Sequence, residues 1–283
     1  MKKLFLPILI LFVLSCNNTD NKNPQKAVEE KKSVSNIVLH PEWTESLTKN
    51  KLSGSVHIWN KNEDTWHHSD SASFHITNVP ASTFKIFISL TALELGTIRD
   101  ENEVLKWNGT KQQVASWNHD QDMREAFANS TNWFYEKLAT DIGSATMKTW
   151  LDRANYSCNS IDGKEKYWLE PGFEISPEKQ IDFLRRLHDN ELPFAQRNMD
   201  ITKNIMFAKD TLGVKIYAKT GWAVPNNFNI GWYVGWAEKN NSIYYFATCI
   251  ENPEPEIENF GDLRISTIYN ALTSMGVLSI SSK

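Results

Sequence analysis

The chain has 283 residues, 41% of them hydrophobic and 12% aromatic, which is ample for one globular domain with a sizeable core. Its net charge is -4 and no block of Lys or Arg lies beyond the first few residues, so a nucleic-acid partner is excluded. The histidines His40, His57, His67, His68, His75, His119 and His188 show no H-x-H-x-D or H-E-x-x-H spacing, which disfavours a metal-dependent hydrolase; no metal site is expected.

The N-terminus reads as a secretory signal: Lys2 and Lys3, then an apolar run over 4–14, shorter than the ~20 apolar residues of a spanning helix. The run ends Val13-Leu14-Ser15-Cys16, which resembles a bacterial lipoprotein signal. That resemblance implies removal of residues 1–15, lipidation of Cys16, export to the periplasm and anchoring to the cell-envelope membrane. An ordinary signal peptide is the alternative, and either exports the protein. Residues 16–41 are polar and charged and read as a flexible tether; 42–283 form the folded domain. Cys158 and Cys249 lie in different predicted elements and read as two separate, partly buried thiols.

Alternation around Val56 and Ile58, the turn residues 60–65 and a second run from Trp66 predict an N-terminal hairpin, with His67-His68 as a solvated strand or turn. Pro80, the apolar spacing of Phe84, Phe87, Ile88, Leu93 and Leu95, and Gly96 predict a buried helix over 82–95. Further helices are predicted over 123–129, 131–142, 145–153 and 177–188, the last with Ser176 as N-cap. Strand patterns return over 214–220, 230–237 and 242–250, with Asn240-Asn241 as a hairpin turn, and 261–275 reads as a closing helix. The proline-containing acidic segment 251–258 reads as a solvated loop. Strands at both ends with helices between them exclude a doubly wound parallel fold. The fold class is α+β: an antiparallel sheet built from both chain ends, flanked by helices, plus a mainly helical region.

Ser82-Thr83-Phe84-Lys85 is an S-x-x-K match at the predicted start of a helix. The motif also fits at Ser46 to Lys49 and Ser176 to Lys179, but one lies in a polar segment and the other at a helix cap. Helical spacing of three sets Ser82 beside Lys85, so that the amine reaches the hydroxyl. A helix N-terminus favours the negative charge of an acyl-transfer oxyanion. Lys85, flanked by Phe84, Ile86 and Phe87, is expected to be desolvated and to titrate low enough to act as a base. Ser130-Thr131-Asn132 and Lys219-Thr220-Gly221 follow, completing the S-x-x-K, S-x-N, K-T-G set of serine acyl-transfer enzymes. Ser130 relays a proton to the leaving nitrogen, Lys219 and Thr220 receive an anionic substrate carboxylate, and Gly221 lets substrate approach the strand backbone.

From about Glu42 onward the chain resembles a class D, oxacillinase-type β-lactamase. The likeness is carried by Pro80-Ala81-Ser82-Thr83-Phe84-Lys85-Ile86, Lys106-Trp107-Asn108-Gly109, Trp117-Asn118-His119-Asp120, Tyr167-Trp168-Leu169-Glu170, Lys219-Thr220-Gly221-Trp222 and Gly231-Trp232-Tyr233-Val234-Gly235-Trp236. The resemblance implies a serine β-lactamase or penicillin-binding transpeptidase fold and β-lactam substrates. It implies no cofactor, but a CO2-derived carbamate on Lys85 that activates serine and later water. Trp168 would hydrogen-bond the carbamate, the N–H groups of Ser82 and Trp222 would form the oxyanion hole, Arg264 would pair with the substrate carboxylate, and Trp117 would line the substrate site. Two positions depart from the family pattern. Asn132 stands where the family carries an apolar residue, and Asn155-Tyr156-Ser157-Cys158 stands where Tyr-Gly-Asn is typical. The alternatives are a penicillin-binding peptidase or transpeptidase and a β-lactam sensor domain, both of which acylate without turning over. Oligomeric state is open.

Overall fold

The computed structural model describes residues 36–156, 161, 166–253 and 259–279. The signal segment with Cys16, Cys158 and residues 254–258 of the acidic loop lie outside the described residues. Seven strands form one sheet: β1 (Asn36–Leu39), β2 (Ser53–Asn60), β3 (Thr65–His68), β4 (Phe207–Thr211), β5 (Val214–Ala223), β6 (Asn229–Lys239) and β7 (Ser242–Asn252). Their order is β1-β3-β2-β7-β6-β5-β4, so both chain ends build it. Neighbours are antiparallel, as expected, except that the edge strand β1 lies parallel to β3. β1 lies within the stretch expected to be a tether, and its Ile37, Val38 and Leu39 pair with Trp66, His67 and His68. It escaped prediction because all four of its residues are exposed and so carry no alternation.

The helices are α1 (Glu45–Lys49), α2 (Lys85–Glu94), α3 (Met123–Ala128), α4 (Asn132–Ile142), α5 (Ser144–Arg153), α6 (Pro177–His188), α7 (Gln196–Met206) and α8 (Phe260–Ser274). In β6, Trp232, Val234 and Trp236 join the larger core beneath the helical region, while Tyr233 and Ala237 join a second core with Ile268 and Leu272 of α8. This is the period of two expected of a central strand buried on both faces. α6 begins where Ser176 Oγ accepts from the Lys179 backbone N–H at 3.3 Å, with Pro177 in the first turn, and ends among Arg185, Arg186 and His188. That cap assigns the Ser176 to Lys179 match a structural role.

One further expectation fails. His68 is buried, not solvated, and its Nδ1 lies 2.9 Å from Nδ1 of the equally buried His57 on the paired strand. The 3-10 turn Ala72–His75 closes over them with Phe74, whose ring packs against His57, His68 and Trp66. Cys249 is a buried free thiol.

Candidate active site

Ser82 lies in a 3-10 turn, Ala81–Phe84, immediately before α2, not in the first α-helical turn as the sequence suggested. Ala81 sits at φ 51, a left-handed conformation costly for a residue with a Cβ. The surroundings hold it there. Thr83 Oγ1 donates to the Pro80 carbonyl at 2.7 Å and accepts from Gln180 Nε2 at 2.8 Å, and Trp232 Nε1 donates to the Val79 carbonyl at 2.9 Å. Phe84 is fully buried against Phe87, Tyr156, Tyr167, Trp168 and Phe173. On the other flank Gly221 of β5 faces the turn: a Cβ there would stand 2.9 Å from the Pro80 carbonyl oxygen and 3.1 Å from the Thr83 methyl. The glycine therefore lets β5 close on the nucleophile turn, a reason that spacing alone does not reveal.

Lys85 opens α2, is fully buried, and directs Nζ into a set of oxygens: Ser82 Oγ at 3.0 Å, the Ser130 carbonyl at 2.6 Å, Ser130 Oγ at 3.1 Å and Asn132 Oδ1 at 2.8 Å. Ser130 can present both its carbonyl and its hydroxyl because it takes φ 54 between α3 and α4. Burial drives the Lys85 ammonium well below the usual lysine range; the Lys219 charge adds to this and Glu136 opposes it. No carboxylate bonds Nζ among the described residues, so the neutral amine is favoured.

Lys219 Nζ lies 3.0 Å from Ser130 Oγ, which links the two lysines through one hydroxyl. Burial, then the Arg264 charge, lowers Lys219 to about 7. Arg264, from the first turns of α8, is buried and donates to the carbonyls of Gly221 and Gly261; burial lowers it to about 10. Its guanidinium sits 5.4 Å from the Trp222 ring centroid, and Trp222 Nε1 donates to Asn229 Oδ1 at 2.8 Å. Arg264 thus lines the candidate site, where the resemblance implied it.

A cleft of about 680 Å³ opens over these groups, lined by Ser82, Ser130, Asn132, Thr220, Trp222 and Arg264, with Trp117, Gln113, Val114, Leu169 and Glu170 on its walls. Trp117 fixes the approach to Ser130: its indole donates to the Asn129 carbonyl at 3.0 Å, and its own carbonyl accepts from Trp133 Nε1 at 2.7 Å. Trp168 is buried on the 3-10 turn Tyr167–Leu169 against Phe84, and its indole N–H has no acceptor among the described residues. The structure thus brings the three motifs together. Sequence reading missed the Ser130 carbonyl as a lysine ligand, which only its positive φ creates, and the wall residues Gln113, Val114, Leu169 and Glu170. Of these Leu169 and Glu170 did stand inside a motif already singled out.

No group of three His, Cys, Asp or Glu able to hold a metal occurs among the described residues, and none of their helices is long and apolar enough to cross a membrane. The penicillin binding protein transpeptidase domain family matches residues 14–273. The β-lactamase OXA-48 of Klebsiella pneumoniae is 35% identical over 212 residues, covering 75% of this chain and 80% of that protein. The solved structure of a class D β-lactamase from Sebaldella termitidis aligns with a TM-score of 0.80 at 34% identity, over 87% of this chain and 100% of that one. The C-terminal domain of the Bacillus licheniformis BlaR penicillin-receptor aligns with a TM-score of 0.80 at 27% identity, over 87% and 98%.

Proposed function

We infer the chemistry from one premise: the chain belongs to the penicillin-binding protein transpeptidase family and, within it, to the class D β-lactamases. It hydrolyses the β-lactam ring of antibiotics through an acyl-enzyme, and so confers resistance. The observation that carries this reading is the Lys85 amine, buried with no carboxylate partner among the described residues, 3.0 Å from Ser82 Oγ.

The steps proposed for the residues follow from that geometry. A neutral Lys85 takes the Ser82 proton as Oγ bonds to the lactam carbonyl carbon. The backbone N–H groups of Ser82 and Trp222 receive the developing oxyanion. As the C–N bond breaks, Ser130 hands its proton to the leaving nitrogen and regains one from its lysine neighbours. Lys219, Thr220 and Arg264 hold the substrate carboxylate, and the two buried cations regain by that pairing part of what desolvation cost them. A base at Lys85 then removes a proton from water, water adds to the acyl carbon, and Ser82 leaves with its proton restored.

The pocket also suits a CO2-derived carbamate on Lys85, since only a neutral amine adds CO2. The Trp168 indole N–H, with no acceptor among the described residues, is the donor that would hold the carbamate, which would supply a carboxylate base where the amine now stands. A second reading rests on Asn132. Its Oδ1 occupies a hydrogen-bonding position on Nζ, favours the protonated amine, and so favours a domain that acylates and turns over slowly. Intact mass during incubation with a penicillin separates the two. The hydrolase shows free enzyme and accumulating product, a receptor shows a lasting adduct of substrate mass, and Ser82→Ala shows neither product nor adduct.

Export and anchoring are proposed from the basic start, the apolar run and Cys16. Palmitate labelling of the full chain in cells, lost in Cys16→Ala, is the expected result. Labelling that persists in the variant overturns it.

A further inference from the structure

We propose that Glu170 is a specificity-determining residue that receives an ammonium group on the acyl side chain of the substrate; this rests on the hydrolase reading above. Among the cleft-lining residues Glu170 bears the one carboxylate, and it makes no ion pair or side-chain hydrogen bond among the described residues. The nucleophile turn lies between two walls. On one side β5 closes through Gly221 and brings Lys219 and Thr220, with Arg264 of α8 bonded to the Gly221 carbonyl. On the other, the turn Tyr167–Leu169 packs through Trp168 and Tyr167 onto Phe84 and brings Leu169 and Glu170. The cleft therefore carries positive charge on the β5 side of Ser82 and negative charge on the opposite side. A β-lactam seated with its carboxylate on Lys219 and Arg264 and its carbonyl at Ser82 extends its acyl side chain toward Glu170.

Glu170 is also held in place. Pro171 restricts the residue before it to extended backbone, and Glu170 takes φ -117 and ψ 146. Gly172 follows at φ +101, where a side chain is strained. Tyr167 and Trp168 before Glu170 and Phe173 after it are buried around Phe84. A carboxylate fixed on a stiff turn loses little freedom when a cation docks, which is how a single exposed charge discriminates between substrates.

The test compares a penicillin bearing an α-ammonium on its phenylacetyl side chain with the neutral phenylacetyl compound, at about pH 6.5, where the amine is charged. The ratio of kcat/KM for the two is expected to fall about twofold to fivefold in Glu170→Gln, as for an exposed ion pair. It falls further in Glu170→Lys, and the wild-type preference weakens at high ionic strength. Turnover of both substrates with an unmoved ratio in both variants overturns this inference alone. Turnover of neither by the unaltered chain overturns the hydrolase reading, and the inference with it.

Discussion

Replacing Asn132 by valine isolates the one polar side chain that sets this lysine pocket apart. Nζ of Lys85 has four oxygens within 3.1 Å, and a protonated amine has three hydrogens to give, so the variant keeps a partner for every hydrogen. What is lost is the Oδ1 dipole at 2.8 Å, which favours the ammonium over the amine. Hydrogen bonds to charged groups are worth more than neutral ones by about 1 kcal/mol, roughly fivefold in the ammonium-to-amine ratio. The amine form, needed both to take the Ser82 proton and to add CO2, is therefore enriched. The acid limb of the kcat–pH profile moves to lower pH, and on that limb the bicarbonate needed for half-maximal activity falls roughly fivefold. An acid limb that stays in place or moves up refutes the assignment of Asn132 as a brake on the base.

Gly221→Ala drives a Cβ to 2.9 Å from the Pro80 carbonyl and 3.2 Å from the Trp232 Cβ. A loss of about 1–3 kcal/mol follows, read as a Tm lowered by roughly 3–9 °C, with kcat reduced because the Ser82 turn shifts. Unchanged Tm and kcat would contradict the packing role. Lys85→Ala removes hydrolysis and is not rescued at any bicarbonate level; normal turnover in it would overturn the mechanism. His57 and His68 are held near 3 and 4, chiefly by burial, against an ordinary value of 6.5. Their stabilising effect is complete above pH 6.5. It is lost as pH falls toward the folded values, because only the unfolded chain takes up protons there. Denaturant unfolding is expected to show roughly 2–4 kcal/mol less stability at pH 5 than at pH 7, and a flat profile would show that the pair is not neutral in the native state.

Elements with punctuation at both ends were legible. α6 was read to the residue because Ser176, Pro177 and the basic last turn mark its limits. α7 was missed: Ala195 offers no capping side chain, and the helix follows a loop with no start signal. β4 was missed for the reason β1 was, since an edge strand exposed on both faces has no alternation. In the site, the residue types and their order were readable because acyl transfer demands a nucleophile, a base and cations together. The 3-10 turn under Ser82, the left-handed Ser130 and the approach of β5 through Gly221 were not, because each arises from packing between segments far apart in the chain. Asn132 stands out in the sequence as a departure, and its contact with Nζ follows from the packing of α4 against α2.

Steady-state hydrolysis of a chromogenic cephalosporin in large excess over the enzyme tests the central claim most directly. The account predicts linear product formation through many turnovers, abolished in Ser82→Ala. A single stoichiometric burst followed by silence would contradict it and identify a domain that is acylated but does not hydrolyse.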